Sequence, residues 1–187
     1  MEAPLRSALQ KAVHALEEHA YRYAVIGGIA LSQWGVARYT YDVDLKVLVP
    51  NLDFDAARDM LRAAFPVRAR AHVPENPFIV AVDIDGVTAD FLLTLPGYEE
   101  HIIERAVRRD LGGWSAWICS AEDLIIQKAV AGRGKDWPDI EALLIEQDGK
   151  LDYPYIEDWL QQFAEALENP ELLKQYRQIA ERIEALR

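Results

Sequence analysis

Apolar positions along the first 50 residues predict a helix, a strand, a short helix and a second strand. Residues 5–20 have apolar positions at helical spacing, and the continuous apolar run Tyr23–Ile26 is typical of a buried strand. Polar and apolar residues then alternate over Asp42–Leu48, as in a strand with two different faces. Between the strands, the apolar positions after Gly27 and Gly28 recur at helical spacing, so a short helix is expected to begin beside the glycines.

Two β-rich runs lie near the centre of the sequence. Residues 53–65 are predicted to form a helix, and residues 67–77 a loop or a weak edge strand. The runs Phe78–Ile84 and Val87–Leu93 are separated by Asp85-Gly86, the two-residue signal for a type I′ turn. The pattern therefore predicts a tight antiparallel hairpin.

The chain beyond the hairpin is predicted to be mainly helical. A helix over residues 98–106 and a short strand over residues 114–119 precede Ser120, which has the N-cap chemistry that starts another helix. Residues 153–187 are expected to form two helices interrupted at Asn169-Pro170, a pair that packs on the core or mediates dimerisation. Their predicted inward stripes are Trp159, Phe163 and Leu167 on the first helix and Leu173, Tyr176, Ile179 and Ile183 on the second.

The glycine turn and the strand that follows it supply the first candidate chemistry. A strand, a glycine turn and a helix N-terminus favour a phosphate, because free N–H groups and the helix dipole are directed there. On a strand, Asp42 and Asp44 extend from one face, and Val43 and Leu45 from the other. Two such carboxylates repel each other unless a cation lies between them, and their hard oxygen atoms suit Mg²⁺ together with substrate phosphates. The pattern indicates chemistry on a nucleoside triphosphate.

The pattern Gly-Gly, a short helix and Arg-x-Thr-x-Asp-x-Asp resembles the nucleotidyltransferase superfamily, which has the fold of DNA polymerase β. Within it, the sequence is most similar to the small bacterial AbiEii-like and minimal nucleotidyltransferases. The matching residues are Gly27, Gly28, Arg38, Thr40, Asp42 and Asp44. The resemblance implies an α/β (α+β) fold, with a nucleotidyltransferase-like mixed β-sheet flanked by helices and a C-terminal helical extension. The corresponding domain prediction is a nucleotidyltransferase-like domain over residues 1–150 and a helical pair over residues 151–187.

A third acidic residue is expected on the hairpin. If Asp85 and Gly86 form the turn, then Asp83, Thr88 and Asp90 share one face. The resemblance implies a carboxylate on a strand next to the Asp-x-Asp strand, where it binds the catalytic metal and helps to deprotonate the attacking hydroxyl. Asp90 matches that position by order and context. Asp83 is the alternative, although a polar residue beside a turn is the preferred explanation for it.

A second stretch, downstream of the hairpin, resembles AbiEii-like proteins in the order of its polar residues. Those proteins have a serine- or proline-led Glu-Asp-Leu helix with a lysine, then an arginine, a Lys-Asp or Arg-Asp pair and a further aspartate. The matching residues are Ser120, Glu122, Asp123, Leu124, Lys128, Arg133, Lys135, Asp136 and Asp139. Lys128, Arg133 and Lys135 are candidates for the triphosphate. Asp136 and Asp139 are expected to cap the next helix and to hold these basic side chains.

Three further residues complete the candidate nucleotide site. Arg38 and Thr40 either face the nucleotide, or Thr40 hydrogen-bonds the loop that aims Asp42. Many polymerase-type members of the superfamily have Gly-Ser where this chain has Gly27-Gly28, and their serine hydroxyl touches a terminal phosphate. Ser32, one helical turn further on, is the candidate for the missing hydroxyl.

Composition and charge narrow the substrate and the location. The 187 residues are 51% hydrophobic, which is too apolar for a disordered chain, and the lone Cys119 excludes an internal disulfide. No apolar run approaches the roughly 20 residues that span a bilayer, and a signal-peptide core is lacking, so a cytoplasmic location is expected. The net charge of −11 disfavours non-specific nucleic-acid binding and favours a small-molecule, protein or locally gripped RNA substrate. The basic patch of Arg68, Arg70 and His72 is expected to be solvated surface, with substrate binding as the alternative.

The leading hypothesis is a metal-dependent nucleotidyltransferase that moves a nucleoside monophosphate from a nucleoside triphosphate to a hydroxyl. The resemblance implies two Mg²⁺ ions, with Mn²⁺ as an alternative, on Asp42, Asp44 and Asp90, and an acceptor that is a tRNA end, a protein or a small molecule. It also implies a toxin–antitoxin or phage-defence setting, with a cognate antitoxin as partner. Two alternatives stay open: an inactive nucleotide- or partner-binding module of the same fold, and a glycosyltransferase, although those enzymes usually need a larger domain.

Overall fold

A computed structural model gives the fold of the chain and describes residues 1–68 and 76–185, so that Arg70 and His72 of the predicted basic patch lie outside the described residues. The chain divides into two compact units. Unit 1 comprises Met1–Ala30 and Tyr39–Cys119, and unit 2 comprises Leu31–Arg38 and Ser120–Arg187. The predicted boundary at residue 150, between a nucleotidyltransferase-like domain and a helical pair, stays a prediction.

Unit 1 contains a six-stranded mixed sheet and the helices that flank it. Its strands are ordered β3-β4-β2-β1-β6-β5, with β2 parallel to β4, β1 parallel to β6 and the remaining neighbours antiparallel. This arrangement confirms the predicted α/β class with a mixed, helix-flanked sheet. The elements are α1 (Ala3–Glu18), β1 (Arg22–Val25), the start of α2 (Gly27–Gln33), β2 (Asp42–Leu48), a 3₁₀ turn (Pro50–Leu52), α3 (Phe54–Ala64), β3 (Ile79–Ile84), β4 (Val87–Leu93), α4 (Tyr98–Glu104), β5 (Val107–Asp110) and β6 (Ser115–Ile118).

The central hairpin has the predicted register. Ile84 pairs with Val87, and the two turn residues, Asp85 and Gly86, have φ of 54° and 84°. Positive φ at both central residues is the signature of a type I′ turn. The hairpin therefore places β4 beside β2, where the two strands run parallel.

The two faces of the sheet differ as the alternation predicts. On one face, Val43, Leu45 and Val47 of β2 are fully buried beside Ala89 and Phe91 of β4. Helix α1 packs against β1, β2, β3 and β4, and α3 contacts β3. Because these apolar residues fix which way the strands face, Asp42 and Asp44 extend from the opposite face.

Unit 2 is a helical bundle. Its elements after the last residues of α2 are α5 (Ala121–Ala131), α6 (Asp136–Glu146), α7 (Tyr153–Ala166) and α8 (Glu171–Glu184). Helix α5 begins as predicted, since the Ser120 hydroxyl accepts a hydrogen bond from the Asp123 N–H at 3.0 Å. It ends at Gly132, which has the left-handed φ of 59° typical of a helix C-terminus. Across the described part of the chain, no helix is both long and apolar enough to cross a membrane.

The sequence pattern misses β5. Residues Val107–Asp110 contain three charged residues, and their side chains are mostly exposed. The strand lies at the edge of the sheet and pairs only with β6. Backbone pairing with β6 fixes the conformation of β5, so its own side chains need not alternate between apolar and polar.

The predicted inward stripe of α7 is also wrong. The buried residues are Ile156, Leu160 and Ala164, whereas Leu167 is 53% exposed. Trp159 and Phe163 are half-buried, and their rings pack in a tilted arrangement with centroids 6.1 Å apart. The aromatic residues lie beside the buried stripe of the helix, because large rings can cover the edge of an interface without facing it. The predicted stripe of α8 is confirmed.

Candidate active site

The glycine turn packs directly against the carboxylate of Asp44. Gly27 has a φ of +65°, and a Cβ built on it would lie 3.1 Å from the Cγ of Asp44 and closer still to its Oδ2. The N–H of Ile26 donates to the Asp44 carbonyl at 2.9 Å, which joins the end of β1 to β2. Only glycine fits between the two strands at this point, both for its conformation and for its lack of a side chain.

The second glycine is linked to Asp42 through Thr40. A Cβ on Gly28 would lie 2.6 Å from the Thr40 Oγ1. That hydroxyl donates to the Asp42 Oδ1 at 2.7 Å. Thr40 therefore orients Asp42, in line with the second of the two roles considered for it.

Asp90 joins the two aspartates through the register of the sheet. In the parallel pairing of β2 with β4, Asp44 is the direct partner of Asp90, and Asp42 is the partner of Thr88. Neighbouring strands are about 4.8 Å apart, and registered partners extend to the same side. The three aspartates thus share one sheet face, beside the glycine turn. Asp83 has a different role, because its Oδ1 accepts the Gly86 N–H at 2.8 Å and closes the hairpin turn.

Lys46 also belongs to this face and was not singled out from the sequence. It follows Asp44 by two residues on β2, and its side chain is 7% exposed. Its ammonium forms an ion pair with Glu99 of α4, and the other oxygen of that carboxylate accepts the Leu95 N–H at 2.7 Å. The alternation that identified the aspartates extends through Lys46, so the signal was present in the sequence.

Unit 2 contains a buried ionic network around Lys128. The Lys128 ammonium is 2.7 Å from the Asp139 carboxylate and 3.3 Å from that of Asp136. Arg38 also donates to Asp139, and Arg133 donates to Asp136 with its Nε at 2.6 Å. The predicted phosphate-binding cations Arg38, Lys128 and Arg133 are accordingly all engaged with carboxylates of α6. Their binding of nucleotide stays a prediction.

The pKa of Asp136 is set by two opposing effects. Complete burial of its side chain would raise the pKa, but hydrogen bonds from Arg133 and the charges of Lys128 and Arg133 outweigh burial and lower it. The carboxylate therefore stays ionised inside the bundle. Of the remaining candidates, Ser32 is exposed on α2, and Lys135 immediately precedes α6 and is exposed.

The aspartate face supplies the donor chemistry of a magnesium site. Its three carboxylates are hard oxygen donors on adjacent strands, and Gly27 leaves room for the Asp44 carboxylate only because it lacks a Cβ. Within residues 1–68 and 76–185, no three His, Cys, Asp or Glu side chains already stand in a metal-binding arrangement. The three carboxylates have the oxygen donors that Mg²⁺ prefers, and they lie on one face of the sheet.

A mixed sheet with a glycine turn set against an Asp-x-Asp strand, and a third aspartate in register beside it, defines a nucleotidyltransferase-like domain. The chain belongs to the family described as "Nucleotidyl transferase of unknown function (DUF2204)", whose model matches residues 5–178. No curated protein sequence matches the chain.

Solved structures of similar fold support the same class. A nucleotidyltransferase-like protein from Paracoccidioides brasiliensis, described as antigenic, superposes with a TM-score of 0.56 at 16% identity, over 93% of this chain and 92% of that one. A nucleotidyltransferase candidate from Thermotoga maritima gives 0.53 at 18% identity, over 78% and 96%. The antibiotic-resistance factor ANT(2″)-Ia gives 0.50 at 15% identity, over 100% and 96%. At these identities the likeness concerns the fold alone.

Proposed function

We propose that this chain is a metal-dependent nucleotidyltransferase that moves a nucleoside monophosphate from a nucleoside triphosphate to a hydroxyl acceptor. The observation that supports it is the contact of the glycine turn with the aspartate face. Gly27 touches the carboxylate of Asp44, which is in register with Asp90 on the next strand. A place for phosphates and a set of carboxylates thereby lie side by side.

The proposed residue roles follow from this placement. Gly27 and Gly28 position the phosphates, and Thr40 holds Asp42 in its orientation. The acceptor oxygen attacks the α-phosphorus, and Asp90 takes up the hydroxyl proton. The bond from the α-phosphorus to the oxygen that bridges to the β-phosphate breaks, and pyrophosphate leaves with that electron pair. Holding the two reactants together in line is a major part of the rate enhancement.

Two Mg²⁺ ions, with Mn²⁺ as the alternative, would be held by Asp42, Asp44 and Asp90. When bound, such ions neutralise the charge of the triphosphate and the charge that develops on the leaving pyrophosphate. Their binding would also relieve the repulsion among the three neighbouring carboxylates.

Transfer of label from α-labelled nucleoside triphosphates tests the proposal. The native chain is incubated with Mg²⁺ and each of the four triphosphates in turn. The acceptor is total RNA, proteins encoded nearby or, as a small molecule with several hydroxyl groups, tobramycin. Asp44→Asn is the inactive variant. Asp59→Asn, a change of the same kind at an exposed position on α3, is the matched control.

Label that appears with the native chain and with Asp59→Asn but not with Asp44→Asn supports the enzyme, and the labelled species identifies the acceptor. Equal labelling by the native chain and Asp44→Asn contradicts it. No labelling in any mixture, by a folded chain that still binds nucleotide, favours an inactive binding module. The specific observation in favour of that second candidate is Gly28, which lacks the serine hydroxyl of many polymerase-type members.

The biological setting rests on the resemblance to AbiEii-like proteins alone. It favours a toxin–antitoxin or phage-defence role, with an antitoxin protein as partner. If that setting is correct, expression of the native chain should arrest growth, and Asp44→Asn should not.

A further inference from the structure

Arg68 continues the sheet of unit 1 beyond its outermost hairpin. Val67 forms an antiparallel bridge with Val82 of β3, and the Arg68 N–H donates to the Ala81 carbonyl at 2.9 Å. On the other side of the bridge, the Asp83 N–H donates to the Pro66 carbonyl at 2.9 Å. Residues 66–68 are therefore held by backbone pairing, and the position of Arg68 is fixed relative to β3.

The register places Arg68 on the aspartate face. The bridge makes Arg68 the cross-strand neighbour of Ala81 on β3. Ala81 is the partner of Asp90 on β4, and Asp90 is the partner of Asp44 on β2. Registered partners on adjacent strands extend to the same side of a sheet. Across this face the order is therefore glycine turn, Asp44, Asp90, Ala81 and Arg68.

The side chain of Arg68 turns back toward the aspartates. Its guanidinium donates to the Thr88 Oγ1, and Thr88 is the direct partner of Asp42. The small side chain of Ala81 leaves room for the arginine to cross β3. A threonine hydroxyl orients a guanidinium without neutralising its charge. Thr88 is also the direct partner of Asp83 on β3 and of Asp42 on β2, so the guanidinium is a cation at the edge of a set of carboxylates.

We infer that Arg68 binds a phosphate of the acceptor, and hence that the acceptor is anionic, with a phosphate close to the hydroxyl that receives the nucleotide. This inference rests on the proposed function. The triphosphate belongs at the glycine turn, at the opposite end of the row, so the acceptor approaches Asp90 from the side of β3. A guanidinium there matches the geometry of a phosphate and repels a polycationic acceptor.

Binding of a fluorescein-labelled single-stranded RNA octamer with a free 3′ hydroxyl tests the inference without requiring turnover. Dissociation constants are measured by anisotropy, with Mg²⁺ and a non-hydrolysable triphosphate, for the native chain, Arg68→Gln and Arg68→Lys. Arg62→Gln is the matched control, because it removes the same charge from an exposed position on α3. Unlabelled octamer and cytidine 5′-monophosphate serve as competitors.

Loss of one charge-assisted contact is expected to weaken octamer binding about tenfold in Arg68→Gln. Arg68→Lys should lose less, and Arg62→Gln should bind like the native chain. The slope of log K against log salt should shrink by about 0.7 in Arg68→Gln, as for one lost phosphate contact on a single strand. If cytidine 5′-monophosphate competes as well as the unlabelled octamer, one phosphate suffices for binding. If only the octamer competes, a strand is needed.

Equal affinities of the native chain and Arg68→Gln would overturn the inference. So would a native chain that binds neither the octamer nor the mononucleotide. Affinity of the triphosphate itself should not change in Arg68→Gln, and a parallel loss would place Arg68 at the nucleotide instead. Failure of the proposed function gives a different result: octamer binding still depends on Arg68, but the native chain transfers no label.

Discussion

The two units treat buried and half-buried carboxylates in opposite ways. In unit 2, Asp136 and Asp139 lie inside the bundle, and each contacts the ammonium of Lys128 as well as one arginine. In unit 1, Asp44 and Asp90 are set beside each other in register on adjacent strands, with Asp42 on the same face. The first arrangement pairs each carboxylate with cations of the same bundle, and the second brings three carboxylates together on one sheet face.

We expect this difference to separate carboxylates that stabilise the fold from carboxylates that serve the proposed activity. A compensated pair costs stability when one partner is removed, because the other charge is left buried. A cluster of like charges costs stability while it exists, and a protein keeps it when a cation or a substrate uses it. Substitution of an aspartate should therefore affect activity in unit 1 and stability in unit 2.

Asp44→Asn is expected to have the largest effect. Transfer should slow about 1,000-fold, or about 4 kcal/mol in activation free energy, because a carboxylate of the proposed metal site is lost. The free energy of unfolding should change much less than in Asp136→Asn, because Asp44 is only half-buried and two other carboxylates share its sheet face. Initial rates and urea unfolding of the same preparation measure both quantities. A variant that loses activity only because it unfolds at lower urea would contradict the comparison.

Asp136→Asn should show the reverse behaviour. The free energy of unfolding is expected to fall by about 3 kcal/mol, since the charges of Lys128 and Arg133 lose a buried partner. Urea unfolding measures the change, and Glu168→Gln, at an exposed position after α7, is the control. If the two variants have the same midpoint as the native chain, the network does not contribute to stability as described.

Two glycines with similar backbone conformation sharpen the comparison further. Gly27 and Gly113 have φ of +65° and +88°, so the backbone conformation alone should make an alanine at either position cost about 1–2 kcal/mol of stability. Gly27→Ala should cost more, because its Cβ would also clash with the Asp44 carboxylate. Only Gly27 adjoins Asp44, whereas a Cβ on Gly113 would meet nothing within 4 Å. In Gly27→Ala alone, the transfer rate of the folded protein should therefore fall at least tenfold, which is the order expected for a displaced catalytic group. Equal activity of the two variants would show that Gly27 does not position the carboxylate.

The smallest effect concerns acid stability. The pKa of Asp136 is lowered in the folded chain below its ordinary value of 3.8, so the stability it contributes is complete above that value and is lost as pH falls through the folded pKa. The difference in unfolding free energy between the native chain and Asp136→Asn should be constant above about pH 5 and should shrink below about pH 4. Urea unfolding at a series of pH values measures it. A difference that grows on acidification has the wrong sign for this account.

Much of the aspartate face could be predicted because its information is local. The alternation over Asp42–Leu48 places two carboxylates on one side, and Asp85-Gly86 fixes the register of the hairpin. The pairing of Asp44 with Asp90 was not predictable in detail, because β2 and β4 meet in parallel across an intervening helix and strand.

The pairing of Lys128 and Arg133 with the aspartates of α6 was predicted from the sequence. The contact of Arg38 with Asp139 and the position of Arg68 on the sheet were not, for the same physical reason. Arg38 and Asp139 are 101 residues apart, and nothing local specifies their contact. Arg68 follows a residue that forms a single bridge, so its place on the aspartate face depends on one cross-strand register. The edge strand β5 was missed because its backbone partner, rather than its own side chains, fixes its conformation.

The most direct test of the aspartate face is Mn²⁺ binding, followed by electron paramagnetic resonance in the presence of a non-hydrolysable nucleoside triphosphate. Two bound ions are expected per native chain and per Asp59→Asn chain. Asp44→Asn is expected to lose bound Mn²⁺ while urea unfolding shows that its fold persists. Equal Mn²⁺ binding by the native chain and Asp44→Asn, or none by the native chain, would contradict the claim that these carboxylates form a metal-dependent transferase site.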